Sequence, residues 1–174
     1  MGTETGNLAR TLREFRMAST TGPPGARTLW ITDLGLQPYP YVLSLQKTLA
    51  GERRLMHIPD VLLFTEHEAV FTVGRRGGTE NLLVSADFLE KRKIRCEATE
   101  RGGDVTYHGP GQLVGYPVLR IPGGSRRVRH YVNTLEEVII RTLERFGIRG
   151  TRTPGQPGIW AGGGKIAFIG LALQ

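Results

Sequence analysis

The 174-residue sequence has one cysteine, Cys96, which excludes an intrachain disulfide framework and fits a reducing compartment. No apolar run reaches the ~18 residues that a membrane-spanning helix needs. No apolar stretch heads the chain, so a secretory signal is not expected. There is no Walker loop, and no GxGxxG sits between a strand and a helix, which argues against an ATP- or NAD-driven reaction. His57, His67, His108 and His130 lack metal-ligand spacing and Cys96 has no companion, so neither a metal nor another cofactor is expected. Hydrophobic content of 39% allows the core of one domain. The net charge of +7 favours acidic partners. Basic residues do not form a dense run interleaved with aromatics, so no nucleic-acid partner is expected, and no membrane.

What the chain does have is glycine. Arg101-Gly102-Gly103-Asp104-Val105-Thr106-Tyr107-His108-Gly109-Pro110-Gly111-Gln112 reads as a strand, a tight turn and the start of a second strand, Leu113 to Ile121. Glycines there let a ligand approach the backbone, or simply make a turn. Gly74-Arg75-Arg76-Gly77-Gly78 forms a second, basic glycine loop, whose arginines could bind a carboxylate or phosphate or stay solvated.

Residues 1–26 read as a disordered extension, with Met17 a candidate alternative start. Residues 27–174 read as the folded domain. It opens with a strand at Thr28–Thr32 and a loop over Asp33–Pro40. A helix follows with Val42, Leu45 and Leu49 on one face, weakened or ended at Gly51. Val61–Thr65 reads as a strand buried on both faces and interrupted by Glu66-His67-Glu68. Ala69–Val73 is the next strand, Ser85 caps a short helix, and Ile94–Ala98 returns as a strand. Cys96 on that strand reads as a small buried hydrophobe. Ser125 is a cap for the longest helix, whose face of Val128, Tyr131, Val132, Leu135, Val138, Ile139, Leu143 and Phe146 reads as core, stopped at Gly147. Gly158–Ala161, a triple glycine and Lys165–Leu173 read as a hairpin. The expected class is α+β, with a mixed, largely antiparallel sheet and flanking helices. An apolar strand at the end of the chain suggests that a C-terminal portion is missing.

Two side chains carry the sharpest chemistry. Lys165 directly follows three glycines, where it could be desolvated and activate a nucleophile, or sit solvated at a hairpin tip. His108 could act as an acid–base group or simply brace its turn.

Several runs together resemble the octanoyltransferase family of lipoate biosynthesis. They are Leu62-Leu63-Phe64-Thr65-Glu66-His67, Phe71-Thr72-Val73-Gly74-Arg75-Arg76-Gly77-Gly78, Arg101 to Gln112, Pro157-Gly158-Ile159-Trp160 and Lys165-Ile166-Ala167. The resemblance implies a fold similar to the biotin/lipoate protein ligase catalytic domain. It implies transfer of an octanoyl group from octanoyl-acyl carrier protein to a lysine of lipoyl domains, through a cysteine thioester, without a cofactor. The acceptors implied are E2 subunits of 2-oxoacid dehydrogenases and the glycine cleavage H protein, and the implied enzyme is a cytoplasmic monomer. Lys165 matches the lysine that lowers the cysteine's pKa. Arg101, Gly102, Gly103, Asp104, Val105, Thr106, Tyr107 and His108 match one substrate-binding run, and Phe168, Ile169 and Gly170 another. Phe168 stands where the family usually has a small residue. The family's Pro-Cys-Gly nucleophile has no match in the chain, and Cys96 does not occupy its position, so inability to form the thioester is expected. The alternatives are an ATP-dependent lipoate or biotin ligase, or an inactive, truncated binding form.

Overall fold

The computed structural model of the chain describes residues 16–20 and 27–173. Their contacts divide into two compact units, one ending at Arg120 and the other running from Ile121 to Leu173.

The first unit contains β1 (Arg16–Thr20), β2 (Leu29–Gln37), α1 (Tyr39–Arg54), β3 (Asp60–His67), β4 (Val70–Val73), α2 (Ala86–Lys91), β5 (Arg95–Ala98), β6 (Val105–His108) and β7 (Val114–Val118). They form two sheets, ordered β1-β2-β3-β7 and β5-β4-β6. The extension expected over residues 1–26 lies outside the described residues apart from 16–20, which pair antiparallel with β2.

β3 organises this unit. Val61, Leu63, Thr65 and His67 alternate along it and all four are fully buried, while Leu62, Phe64 and Glu66 between them are half-buried. One face is therefore sealed, rather than both. α1 supplies the cover: its helical spacing brings Val42, Leu45 and Leu49 together with Leu34, Ile58, Val61 and Leu63 in one core. Burying a side chain such as Leu63 contributes about 1.5–3 kcal/mol. Asp60, at the start of β3, is buried because Arg53 Nε reaches it at 2.6 Å and Arg27 Nη1 at 3.3 Å.

Several local expectations change here. Asp33–Gln37 continues β2 instead of looping, with a register shift against β3 between Asp33 and Leu36. α1 runs through Gly51 to Arg54, because a glycine's propensity cost of about 1 kcal/mol is small beside the buried face. Glu66-His67 does not interrupt β3, and His67 is its last buried residue. Cys96 is exposed, not a core thiol, because β5 is the edge strand of its small sheet. Ser85 does cap α2, accepting from Phe88 N at 3.2 Å.

The second unit contains a 3₁₀ turn (Gly124–Arg127), α3 (Val128–Arg145), β8 (Thr151–Thr153), β9 (Gln156–Ala161) and β10 (Gly164–Ala167), the strands ordered β10-β9-β8. Ser125 falls inside the 3₁₀ turn, and α3 has no side-chain N-cap. Gly147 ends α3 as expected: its N–H donates to Glu144 O and that of Ile148 to Leu143 O, both at 3.0 Å. The apolar face of α3 is not a sealed core. Val138 and Phe146 are exposed, and the one buried residue of the helix is Glu136. The β9–β10 hairpin forms, but β10 stops at Ala167 rather than Leu173. Among the described residues five strand pairings are antiparallel and two are parallel, so the mixed, largely antiparallel α+β class holds.

Candidate functional site

In the first unit the two glycine loops are stitched together. Gly74 N–H donates to Asp104 O at 3.1 Å, Arg75 N–H to Arg101 O at 3.0 Å and Arg76 N–H to Gly103 O at 3.1 Å. Glycine is required at position 74 by proximity: a Cβ there would stand 2.5 Å from Gly103 O. The Asp104 carboxylate accepts from Asn81 Nδ2, at 3.0 Å to each oxygen. The side chains of Arg75 and Arg76 are exposed, so these residues join the site through their backbone.

Arg101 turns inward. Its Nη2 donates to Thr72 O at 2.8 Å and to Thr72 Oγ1 at 2.7 Å. The Thr72 hydroxyl then faces Thr106 O at 3.3 Å and His108 Nε2 at 3.5 Å. Gln112 Nε2 donates to Tyr107 O at 3.2 Å, which turns Gln112 Oε1 toward His108 Nδ1–H. His108 is thereby the Nδ1–H tautomer with an unprotonated Nε2. The turn that follows is held by Gly111 N–H donating to Glu66 Oε2 at 2.6 Å. After the turn the chain changes sheet: β6 pairs with β4, whereas β7 pairs with β3.

Beside His108 lies an aromatic cluster. The Tyr39 ring stacks on His108 at 6.2 Å between centroids, and His67 sits edge-on to both, at 5.2 Å from Tyr39 and 5.7 Å from His108. His67 Nδ1–H donates to Gln37 O at 3.0 Å, and its Nε2 accepts from Tyr116 OH at 2.8 Å. Burial pulls the pKa of His67 and of His108 below the usual 6.5, so both are neutral at pH 7. Burial likewise raises the phenol pKa of Tyr39 and Tyr116, which keeps them donors. The cluster thus presents neutral polar groups in an apolar setting, with one basic imidazole nitrogen at His108.

The remaining members of the Arg101–His108 run have smaller parts. Gly102 O accepts from Arg101 Nη1 at 3.1 Å. Val105 and Thr106 are half-buried on β6, and the Tyr107 ring packs on Phe71 with centroids 5.1 Å apart.

In the second unit, Lys165 is half-buried in β10. Its Nζ lies 4.8 Å from the centroid of Trp160 and 4.8 Å from that of Phe168. Two rings therefore flank the ammonium, a cation–π arrangement. Phe168 itself is exposed, Ile169 half-buried and Gly170 exposed, all in irregular chain after β10. Glu136 is buried and accepts from Arg152 Nε at 3.2 Å and from Gly158 N–H at 3.1 Å. Among the described residues, no group of three or more His, Cys, Asp and Glu side chains could hold a metal ion, and no helix is long and apolar enough to cross a membrane.

Sequence reasoning overlooked Tyr39, Thr72, Tyr116 and Glu136, and set His67 aside. A signal existed for two of them. His67 continues the period-two alternation of Val61, Leu63 and Thr65, and Glu136 sits four residues after Val132 and three before Ile139, on the apolar face of α3.

The strand-rich α+β scaffold corresponds to a described class. The family model "Lipoyl protein ligase A/B catalytic domain" matches residues 38–174. The bi-partite lipoate protein ligase of Thermoplasma acidophilum shares the fold, with a TM-score of 0.57 at 18% identity over 78% of this chain and 51% of that one. Within this class the sequence is similar to the octanoyltransferase of Solibacter usitatus, at 47% identity over 85% of this chain and 67% of that protein. It is 42% identical to the octanoyltransferase of Syntrophobacter fumaroxidans over 85% of this chain and 65% of that protein. The chain belongs to the octanoyltransferase family, and spans about two thirds of the length of these relatives.

Proposed function

We propose that the chain is the acyl-handling part of an octanoyltransferase. It moves an octanoyl group from octanoyl-acyl carrier protein to a lysine of lipoyl domains, those of 2-oxoacid dehydrogenase E2 subunits and of the glycine cleavage H protein. The observation that carries this reading is the 47% identity to an octanoyltransferase over 85% of the chain. The net charge of +7 supports it, because acidic carrier domains would be steered toward the protein.

The reaction needs two acyl transfers. A thiolate attacks the octanoyl thioester carbonyl and expels the carrier's thiolate, which later takes up the proton that the acceptor amine loses. The acceptor's neutral lysine amine then attacks the enzyme thioester, forms the amide and returns the thiolate. The thioester already holds the driving energy, so no nucleotide is consumed. Lys165 is the cation beside the thiolate, favouring its charged form. The resemblance assigns acyl-thioester binding to the Arg101–His108 run and to Phe168–Gly170, and backbone N–H groups are the usual partners of a thioester carbonyl oxygen as it becomes anionic. The resemblance does not assign that thiolate to Cys96, which is free and exposed. The resemblance implies that the nucleophile is a thiol this sequence does not contain.

The test is the mass of a lipoyl domain after incubation with the protein and octanoyl-acyl carrier protein, with and without ATP. Octanoylation that needs no ATP supports the reading. Modification only with ATP and free lipoate or octanoate would mean a ligase instead. Binding of both partners without turnover by any form of the protein would mean a non-enzymatic module.

A further inference from the structure

Gly158 is the point in the second unit where separate constraints meet. Its φ of +123° is a conformation that residues with a side chain rarely adopt. A Cβ on it would stand 2.5 Å from Lys165 Cε and 2.4 Å from Ala167 O, so the lysine stem lies directly on the glycine. The register of β9 with β10 slips between Lys165 and Ala167, leaving Lys165 opposite Trp160 and Ala167 opposite Ile159. The register of β9 with β8 also slips, between Thr151 and Thr153. Gly158 falls within that slipped stretch, and its N–H goes to a side chain, Glu136 Oε1 at 3.1 Å.

Glu136 is an expensive way to satisfy one backbone N–H, because a carboxylate resists burial unless it is paired. Its other oxygen takes Arg152 Nε at 3.2 Å. Arg152 does not depend on it, since Glu137 Oε2 already holds Nη2 at 2.9 Å. The contact that Glu136 alone supplies is the one to Gly158.

We propose that Glu136 is a positioning residue for Lys165. It pins the Gly158 peptide, and the pinned glycine is the floor that holds the lysine stem between the rings of Trp160 and Phe168. This rests on the reading of Lys165 given above, but its geometry can be tested without turnover.

The ε-methylene protons of Lys165, flanked by two aromatic rings, resonate upfield of an ordinary lysine. In full-chain protein labelled with 13C-lysine, Glu136→Ala is expected to cut that upfield displacement to less than half. Glu136→Gln, which keeps an oxygen acceptor, is expected to retain it. In the transfer assay Glu136→Ala lowers kcat about 10- to 100-fold, in line with the loss from misplacing a reacting group by about 1 Å, with KM for the acyl donor within about threefold. Glu136→Gln rescues kcat. If Glu136→Ala does not fold, Glu136→Asp keeps a charge for Arg152 but draws the carboxylate back by one methylene, and is expected to shift the lysine signal in the same way. An unmoved signal in the folded Ala or Asp variant overturns the proposal, as does a Gln variant that behaves like Ala. A Lys165→Ala variant with full transfer activity would instead overturn the role of Lys165, and the lysine signal would still decide the positioning.

Discussion

Gly74→Ala asks whether the two glycine loops hold each other as tightly as the backbone distances indicate. The new Cβ would meet Gly103 O at 2.5 Å and Arg101 Nη1 at 2.8 Å. Ordinary contact begins near 3.4 Å, so the loops must part by about 0.9 Å. That stretches hydrogen bonds of 3.0–3.1 Å from Gly74, Arg75 and Arg76 to about 4 Å, outside bonding range. Each is worth about 0.5–1.5 kcal/mol. Losing all three costs about 1.5–4.5 kcal/mol, or about 3–18 °C in Tm for a chain of this size. Gly51→Ala is the internal control. It lies within α1 with nothing within 4 Å of its added Cβ, so the same substitution should stabilise by about 0.5–1 kcal/mol. Thermal and urea unfolding of the two variants measure the contrast. A Gly74→Ala loss below about 0.5 kcal/mol would refute the close approach and, with it, the backbone clamp on the Arg101 loop.

Tyr116→Phe removes the donor to His67 Nε2 and leaves a buried acceptor unpaired, costing about 1–3 kcal/mol in urea unfolding; an unchanged midpoint would show that the pair contributes nothing. Burial holds His67 and His108 below 6.5, so the unfolded chain binds these protons more tightly than the folded one. Their stabilising contribution is complete above about pH 7 and is lost as the pH falls below 6.5 through the folded values. NMR titration should give both imidazoles midpoints under 6.5, with Tm declining through that window; a midpoint at or above 6.5 for either ring would contradict their burial. Leu63→Ala, in the sealed face of β3, should cost about 2–5 kcal/mol, and a loss under 1 kcal/mol would place the core elsewhere.

Much of the framework was legible because period carries burial. Val42, Leu45 and Leu49 at helical spacing, and the apolar run of β3, mark the elements that make the first core. Glycine positions were legible as turns, but not what each one faces: nothing local says that Gly74 abuts Gly103, or that Gly158 abuts Lys165. Boundaries failed where tertiary contacts outweighed local propensity. Gly51 is carried by the buried face of α1, and Asp33–Gln37 is carried as strand by pairing with β3. The motif residues Arg101, His108 and Lys165 were visible in sequence. The bonds around them were not, because Thr72 to Arg101, Tyr116 to His67 and Glu136 to Gly158 each join distant parts of the chain through a common residue type. Cys96 misled because a thiol between apolar neighbours looks like core, and only strand order shows β5 to be an edge.

The central claim is tested most directly by the role of Lys165. Wild type and Lys165→Ala, each in a form that also carries the nucleophile thiol, are given octanoyl-acyl carrier protein and a lipoyl domain without ATP, and the acceptor's mass is followed over time. The expectation is octanoylation by the wild type and a loss of about 100-fold or more in Lys165→Ala, as when the group that activates a nucleophile is removed. Equal rates for the two proteins would contradict the account.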